Sequence, residues 1–168
     1  MAIRQTAAVL KAIDSGLQLL PESMDSREAR LLMGAIALQE SKGKHRWQIL
    51  NVPGLKGPAR GLWQFERGGG VTGVMQHPRT RNFAKAVCDQ HGIPFVPRYV
   101  HSALEVNDVL AAVFARLLLW SDPRRLPPIG NISGAWDCYE RNWRPGKAKP
   151  MAWPENYAAA VAALGDIE

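Results

Sequence analysis

The chain has 168 residues, of which 46% are hydrophobic and 21% are charged, a composition typical of a folded globular protein. The length is sufficient to bury a sizeable core, so wholesale disorder is excluded. The formal net charge of +6 favours an acidic partner, which leaves nucleic acid, a membrane surface and an anionic wall polymer open.

The first part of the chain predicts two helices followed by a long irregular segment. Apolar residues recur at spacings of three and four through residues 4–20, and Pro21 ends that pattern. "DSRE" at 25–28 fits a capping box in which Asp25 is the N-cap, and an apolar stripe follows it. Glycines and prolines in residues 42–61 indicate a loop or irregular hairpin, and "GGG" at 68–70 a further turn.

The second part predicts more helices. Helical signals cover residues 80–91, and two prolines then keep the next segment extended. Residues 102–122 are the most apolar stretch and predict one central buried helix. Further helices are predicted at 131–142 and 154–165. The fold class is therefore mainly α, as one domain over residues 1–168 with a small irregular or β-like segment.

The number of cysteines and the lengths of the apolar stretches further restrict the class of protein. Cys88 and Cys138 lack C-x-x-C spacing, so two buried thiols are expected, with a single bridge as the alternative. No stretch reaches the roughly 18 apolar residues of a membrane span. The first twenty residues contain no continuous apolar stretch, because Lys11 and Asp14 interrupt it. This segment therefore indicates an amphipathic helix and not a signal peptide. Synthesis in the cytoplasm is expected.

Glu40 ends the apolar stripe of the second predicted helix. Positions four apart drift only about 40° around a helix, so Glu40 shares the face of Ile36. Apolar surroundings and the negative end of the helix dipole both disfavour its ionised form and raise its pKa. An acid protonated near neutral pH suits the cleavage of a glycosidic bond. The alternative is a helix end with the carboxylate in water.

"GLWQFE" at 61–66 follows the basic loop. Gly61 permits a tight turn or a close approach of the backbone to a ligand. In an extended conformation, Leu62, Gln64 and Glu66 would share one face of this segment. A half-buried strand with an exposed polar edge is the alternative interpretation.

Together, Glu40-Ser41 and Gly61-Leu62-Trp63-Gln64, about twenty residues apart, resemble the lysozyme-like superfamily of goose-type lysozymes and soluble lytic transglycosylases. Those families carry Glu-Ser at a helix end and then Gly-Leu-Met-Gln, so Trp63 departs from their methionine. The resemblance implies a lysozyme-like fold, with Glu40 as the catalytic acid and Ser41 as its structural neighbour. It also implies that Gly61, Leu62 and Gln64 line a sugar cleft, and we expect Trp63 to stack on a sugar ring.

The same resemblance implies roles in the site for two further residues. Glu66 occupies the place of an acidic residue in goose-type enzymes, and Tyr139 loosely matches a tyrosine that positions the glutamate. The implied reaction cuts peptidoglycan between N-acetylmuramic acid and N-acetylglucosamine. Glu66 favours hydrolysis; without a base there, the muramyl 6-hydroxyl attacks and an anhydro product forms. The alternative role for Glu66 is to anchor a loop through Arg60 or Arg67.

Other functional classes stay open. "KGKHRW" and "RNWRPGK" interleave basic and aromatic residues, as in a non-catalytic module that binds nucleic acid or wall polymer. A structural phage component is another alternative. The histidines lack metal-ligand spacing, so no metal is expected. The wall-degrading interpretation also implies no cofactor and no nucleic-acid partner.

A wall-degrading site without a signal peptide suggests a bacteriophage or prophage product. Such a protein would act on peptidoglycan in the periplasm or at the cell wall, released through a holin or carried with virion proteins. A monomer is expected.

Overall fold

A computed structural model describes residues 2–165 and is mainly helical, with one small antiparallel sheet, as the composition and periodicity predict. Ten elements follow one another along the chain: α1 (Ala2–Leu17), α2 (Arg27–Ser41), β1 (Trp47–Ile49), β2 (Lys56–Arg60), α3 (Thr72–Gln76), α4 (Arg81–Gln90), α5 (Pro97–Val106), α6 (Asp108–Ser121), α7 (Ile132–Trp143) and α8 (Trp153–Gly165).

Helix α6 lies at the centre of the core. Residues 110–117 are all buried, and α6 packs against α1, α2 and α5. The prediction of one helix over residues 102–122 is wrong, because the carboxamide of Asn107 accepts from the amide of Leu110 at 2.9 Å and starts a new helix. Pro97 begins α5, so the segment predicted to be extended there is also wrong. Proline suits the first helical position, where its missing N–H would be unpaired.

Helix α2 carries the candidate acid and packs on α1 and α8. Its N-cap is Ser26, whose hydroxyl accepts from the amide of Ala29 at 3.1 Å. The predicted N-cap, Asp25, is wrong: its carboxylate instead pairs with Arg30, at 2.7 Å from both Nε and Nη2. Residues 29 and 31–38 of α2 are buried, because the helix is covered on several sides.

The irregular segment before position 61 contains a short β-hairpin, one of the two possibilities predicted. β1 and β2 pair antiparallel, with Trp47 opposite Arg60 and a register shift between the two pairs of the ladder. Arg46 anchors the hairpin to the start of α6 through two bonds to Asp108, of 2.8 and 2.6 Å. Lys56 and Arg60 both pair with Glu105 on α5.

The "GGG" segment is helical and not a simple turn. Arg67–Val71 form a π-helical turn with non-helical torsion angles at Gly69, and α3 follows directly.

The two cysteines, Cys88 and Cys138, are both buried free thiols, as expected. No helix within residues 2–165 is long and apolar enough to cross a membrane.

Candidate active site

Glu40 is the penultimate residue of α2, and its side chain is half-buried. The helix ends there because Lys42 adopts the left-handed conformation, with φ of 55°, and its amide donates to the carbonyls of Ala37 and Leu38. Ser41 is buried, and its hydroxyl donates to the Ala37 carbonyl at 2.9 Å. The carboxyl group of Glu40 therefore sits on a fixed helix end.

Tyr139, on α7, donates its hydroxyl proton to Oε1 of Glu40 at 2.6 Å. Trp153 stacks on the tyrosine ring, with centroids 5.3 Å apart and 11° between the planes, and Trp136 packs at 5.2 Å. Nε1 of Trp153 donates to the carbonyl of Ile132 at the start of α7. These contacts fix the phenol oxygen beside the carboxyl group, in agreement with the predicted proximity of the two residues.

Burial raises the pKa of Glu40 from 4.5 to about 7. The hydrogen bond from Tyr139 and the positive charge of Lys149 oppose this rise in pKa, and the charge of Glu66 adds to it. Desolvation, one of the two effects expected from the sequence, is the main cause. The carboxyl group consequently exchanges its proton in the neutral range, as a general acid must.

Residues 61–65 form a tight turn and are not extended. Gly61 has φ of 79°, and a Cβ there would lie 2.8 Å from the carbonyl oxygen of Leu104. The amide of Gln64 donates to the Gly61 carbonyl at 2.9 Å. The predicted tight turn at Gly61 is confirmed, and the close approach there is to the backbone of Leu104 on α5. The predicted separation into a polar and an apolar face is wrong, because the chain reverses within these residues.

Trp63 belongs to the core. Its indole is fully buried, and Nε1 donates to the Met33 carbonyl on α2 at 2.9 Å. The carbonyl of Trp63 accepts from Nε1 of Trp143 on α7, also at 2.9 Å. Leu62 is fully buried as well. The predicted stacking of Trp63 on a sugar is therefore wrong, and the side chain of Leu62 is not exposed to line a cleft. Trp63 thereby connects α2 with α7.

Gln64 is half-buried and has φ of 52°, which is uncommon for a residue other than glycine. Its Nε2 donates to the Gly61 carbonyl at 2.9 Å, so the carboxamide is fixed within the turn. Backbone strain of this kind concentrates at functional sites. Contact of Gln64 with a substrate stays a prediction.

Glu66 follows the turn and is exposed. Because its charge contributes to the raised pKa of Glu40, the two carboxylates lie within electrostatic range of each other. Anchoring through Arg60 is not what the structure shows, since Nε of Arg60 pairs with Glu105 at 2.9 Å. Glu66 is therefore placed near the candidate acid, while its catalytic role is a prediction.

Lys149 was missed by the sequence analysis. The loop between α7 and α8 brings it near Glu40, and its backbone carbonyl accepts from Nε2 of Gln39 at 3.0 Å. Asn156 on α8 donates to Oε1 of Gln39 at 2.8 Å and completes this connection. The basic composition of "RPGKAK" was the available signal, but the sequence does not reveal that the loop folds back onto α2.

Comparisons with protein-family models, with curated proteins and with solved structures find no match for this chain. The site is therefore defined by its own geometry: a half-buried acid, a tyrosine that donates to it, a nearby second carboxylate and a nearby lysine. Among residues 2–165, no group of three or more His, Cys, Asp or Glu residues is arranged to hold a metal ion. The arrangement can transfer a proton to a leaving oxygen.

Proposed function

We propose that this protein cleaves the glycan strands of peptidoglycan between N-acetylmuramic acid and N-acetylglucosamine, with Glu40 as the general acid. The observation that carries the proposal is the half-buried Glu40 carboxyl, whose pKa is raised to about 7 and which accepts a hydrogen bond from Tyr139. An acid with this pKa is protonated in part at neutral pH and becomes a stable carboxylate once it has given up its proton.

In the proposed reaction, Glu40 donates its proton to the glycosidic oxygen as the bond to the sugar breaks and positive charge develops on the ring. Tyr139 then stabilises the resulting carboxylate, because its O–H remains directed at Oε1. Lys149 adds a positive charge that acts in the same direction.

Two fates of the sugar cation follow. In hydrolysis, Glu66 takes a proton from a water that attacks across the cleft, which requires carboxyl groups roughly 6.5–9.5 Å apart for inversion. In lytic transglycosylation, the muramyl 6-hydroxyl attacks, and the Glu40 carboxylate accepts its proton. The presence of Glu66 near Glu40 favours hydrolysis slightly.

The biological setting proposed is a bacteriophage or prophage wall-degrading enzyme that acts at the periplasm or cell wall. The formal net charge of +6 supports attraction to an anionic envelope. A holin or virion proteins are the proposed partners.

The rival interpretation, a module that binds nucleic acid through its basic loops, receives less support. Arg46 is paired with Asp108 and Lys56 with Glu105, so these hairpin cations are already neutralised within the fold. Arg141 of the second basic segment pairs with Asp122 at 2.8 Å. Fewer cations are thus left to release counterions from a phosphate backbone.

The test is clearing of chloroform-permeabilised Gram-negative cells by the purified wild-type protein and by Glu40→Gln, with soluble products analysed by mass spectrometry. We expect the wild type to clear the cells and the variant to be slower by roughly a thousandfold, the range for loss of a general acid. Products with a reducing end indicate hydrolysis, and products lighter by one water indicate transglycosylation.

Glu22→Gln, at an exposed position in a short helical turn, is the matched control and should clear like wild type. Glu66→Gln separates the two reactions, because it should abolish hydrolysis and leave transglycosylation nearly unchanged. Equal clearing by wild type and Glu40→Gln, or no clearing by either, would contradict the proposal.

A further inference from the structure

A second candidate site lies at the other end of α2. A cavity of about 360 Å³ is lined there by Ser26, the N-cap of the helix, and by Trp120 near the end of α6. Ser26 and Glu40 are fourteen residues apart on one helix, which corresponds to roughly 20 Å along its axis. The cavity is thus separate from the candidate active site.

Four arginines line this cavity: Arg79, Arg116, Arg124 and Arg125. Two carboxylates, Glu28 and Asp122, line it as well. The carboxylate of Asp122 already accepts from Arg141 at 2.8 Å and from Asn142 at 2.9 Å. The cavity therefore has an excess of positive charge.

Arg116 is the decisive residue, since it is only 3% exposed yet incompletely hydrogen-bonded. Its Nε donates to the carbonyl of Met24 at 2.6 Å, whereas Nη1 has no hydrogen-bond partner among the described residues. The face of Trp120 lies 5.1 Å from the guanidinium carbon, but a ring face does not supply acceptors in the guanidinium plane. Nη1 itself is closed off from the surface, and Asp25 is within electrostatic range of the guanidinium, so an anion in the cavity would interact with the charge of Arg116 and not with its unpaired nitrogen.

Helix α2 adds to the positive potential. Its fifteen residues begin at the cavity, and the N-terminal end of a helix carries a partial positive charge that attracts anions. Burial lowers the pKa of Arg116 to about 10, so its guanidinium stays charged at neutral pH. The helix end and the arginine therefore act on an anion together.

We propose that this cavity binds a small phosphorylated molecule, with the phosphate held by Arg116 and the neighbouring arginines. Guanidinium groups bind phosphate through paired hydrogen bonds, and a phosphate offers more acceptor oxygens to several arginines than a carboxylate does. The volume falls in the range for small-molecule sites, so it accommodates more than a lone anion. The Trp120 ring already carries the guanidinium groups of Arg79 and Arg116, so the apolar wall for the rest of the ligand is formed by Pro123, Leu126 and Pro128.

The experiment titrates the full-length protein with inorganic phosphate, pyrophosphate and phenyl phosphate by isothermal titration calorimetry, at constant ionic strength. Acetate and sulfate serve as comparison anions. We expect saturable binding with phenyl phosphate tightest, and a loss of roughly tenfold or more in affinity when Arg124→Gln and Arg125→Gln are combined. Arg124 and Arg125 are exposed, so this double variant should fold.

Arg98→Gln, at an exposed arginine that does not line the cavity, is the matched control and should bind like wild type. Glu40→Gln should also bind like wild type, which makes this test independent of the proposed cleavage activity. Arg116→Met should abolish binding in a protein whose circular dichroism is unchanged. Absence of saturable binding, equal affinity for acetate, sulfate and phenyl phosphate, or unaltered affinity in the double variant would overturn the proposal.

Discussion

The two ends of helix α2 show how the same physical effect has different chemical consequences. At the C-terminal end, burial raises the pKa of Glu40 to about 7. At the N-terminal end, burial lowers the pKa of Arg116, across the cavity from Ser26, to about 10. Desolvation favours the neutral form in both cases. The carboxyl reaches the range in which it gains and loses a proton at neutral pH, whereas the guanidinium remains a cation.

The two ends also differ in how their charged groups are hydrogen-bonded. The charged form of Glu40 receives a bond from Tyr139, so proton loss is supported by a residue already in place. Nη1 of Arg116 lacks any such partner among the described residues. One end thus holds an acid with a hydrogen-bond donor already in place, and the other a buried cation with an unpaired nitrogen, which is the basis of the two sites that we propose.

The contrast between the two ends of α2 is tested most strongly by Glu40→Gln. We expect the stability difference between this variant and the wild type to change as the pH is raised. The folded pKa of about 7 lies above the ordinary 4.5, so between these values the folded protein binds more protons than the unfolded chain. Stability of the wild type is therefore lost as the pH rises through 7. Glutamine does not titrate, and the variant should gain about 3 kcal/mol over the wild type between pH 4 and pH 9.

Urea denaturation of both proteins across this pH range measures the difference. Glu22→Gln, which replaces an exposed glutamate, should give a nearly constant difference from wild type. Parallel stability curves for Glu40→Gln and wild type would mean that Glu40 is fully solvated, and the contrast between the two ends of α2 would disappear.

The sequence predicted the C-terminal end of α2 well, and the reason is local. A continuous apolar stripe that finishes at Glu40 specifies both the helix and the desolvated carboxyl, because the positions are fixed by helical periodicity. The turn at Gly61 was predictable for a similar reason, since glycine suits positive φ. Tyr139 lies 99 residues further on, and its proximity to Glu40 was suggested by the family resemblance alone.

The remaining features depend on tertiary packing. The expectation that Trp63 stacks on a sugar ring rests on its aromatic ring and its place in the segment assigned to the cleft, but the left-handed Gln64 turns the chain there and the indole is fully buried. Asn107 separates two helices within the segment predicted as one because its side chain caps the second helix. Arg116 had a sequence signal, a lone arginine within "VFARLLLW", yet its missing hydrogen-bond partner is visible only in three dimensions.

The second prediction concerns Tyr139→Phe, which removes the donor to Glu40. The hydrogen bond stabilises the carboxylate, so its loss should raise the pKa of Glu40 further. A hydrogen bond to a charged group contributes about 1.5 kcal/mol, and the decline of the cleavage rate at alkaline pH should move upward by roughly 1 pH unit. The measurement is the pH profile of product release from purified peptidoglycan.

Tyr157→Phe is the matched control, because the oxygen of Tyr157 accepts from the amide of Gly130 and does not contact Glu40. That variant should keep the wild-type profile. A Tyr139→Phe variant with a lower rate but an unmoved alkaline decline would show that Tyr139 acts through packing, not through the proton of Glu40.

The smallest effect tests the opposite end of α2, where Ser26 is the N-cap and the carboxylate of Asp25 pairs with Arg30. The hydroxyl of Ser26 accepts from the Ala29 amide, so Ser26→Ala should destabilise the protein by about 1 kcal/mol. Asp25→Ala removes an ion pair with Arg30 that is partly solvated, and the loss should be about half as large. Urea denaturation at pH 7 compares the two. A larger loss for Asp25→Ala would mean that the ion pair with Arg30 contributes more to stability than the Ser26 cap. It would also mean that Asp25, and not Ser26, fixes the start of α2 beside the arginine-lined cavity.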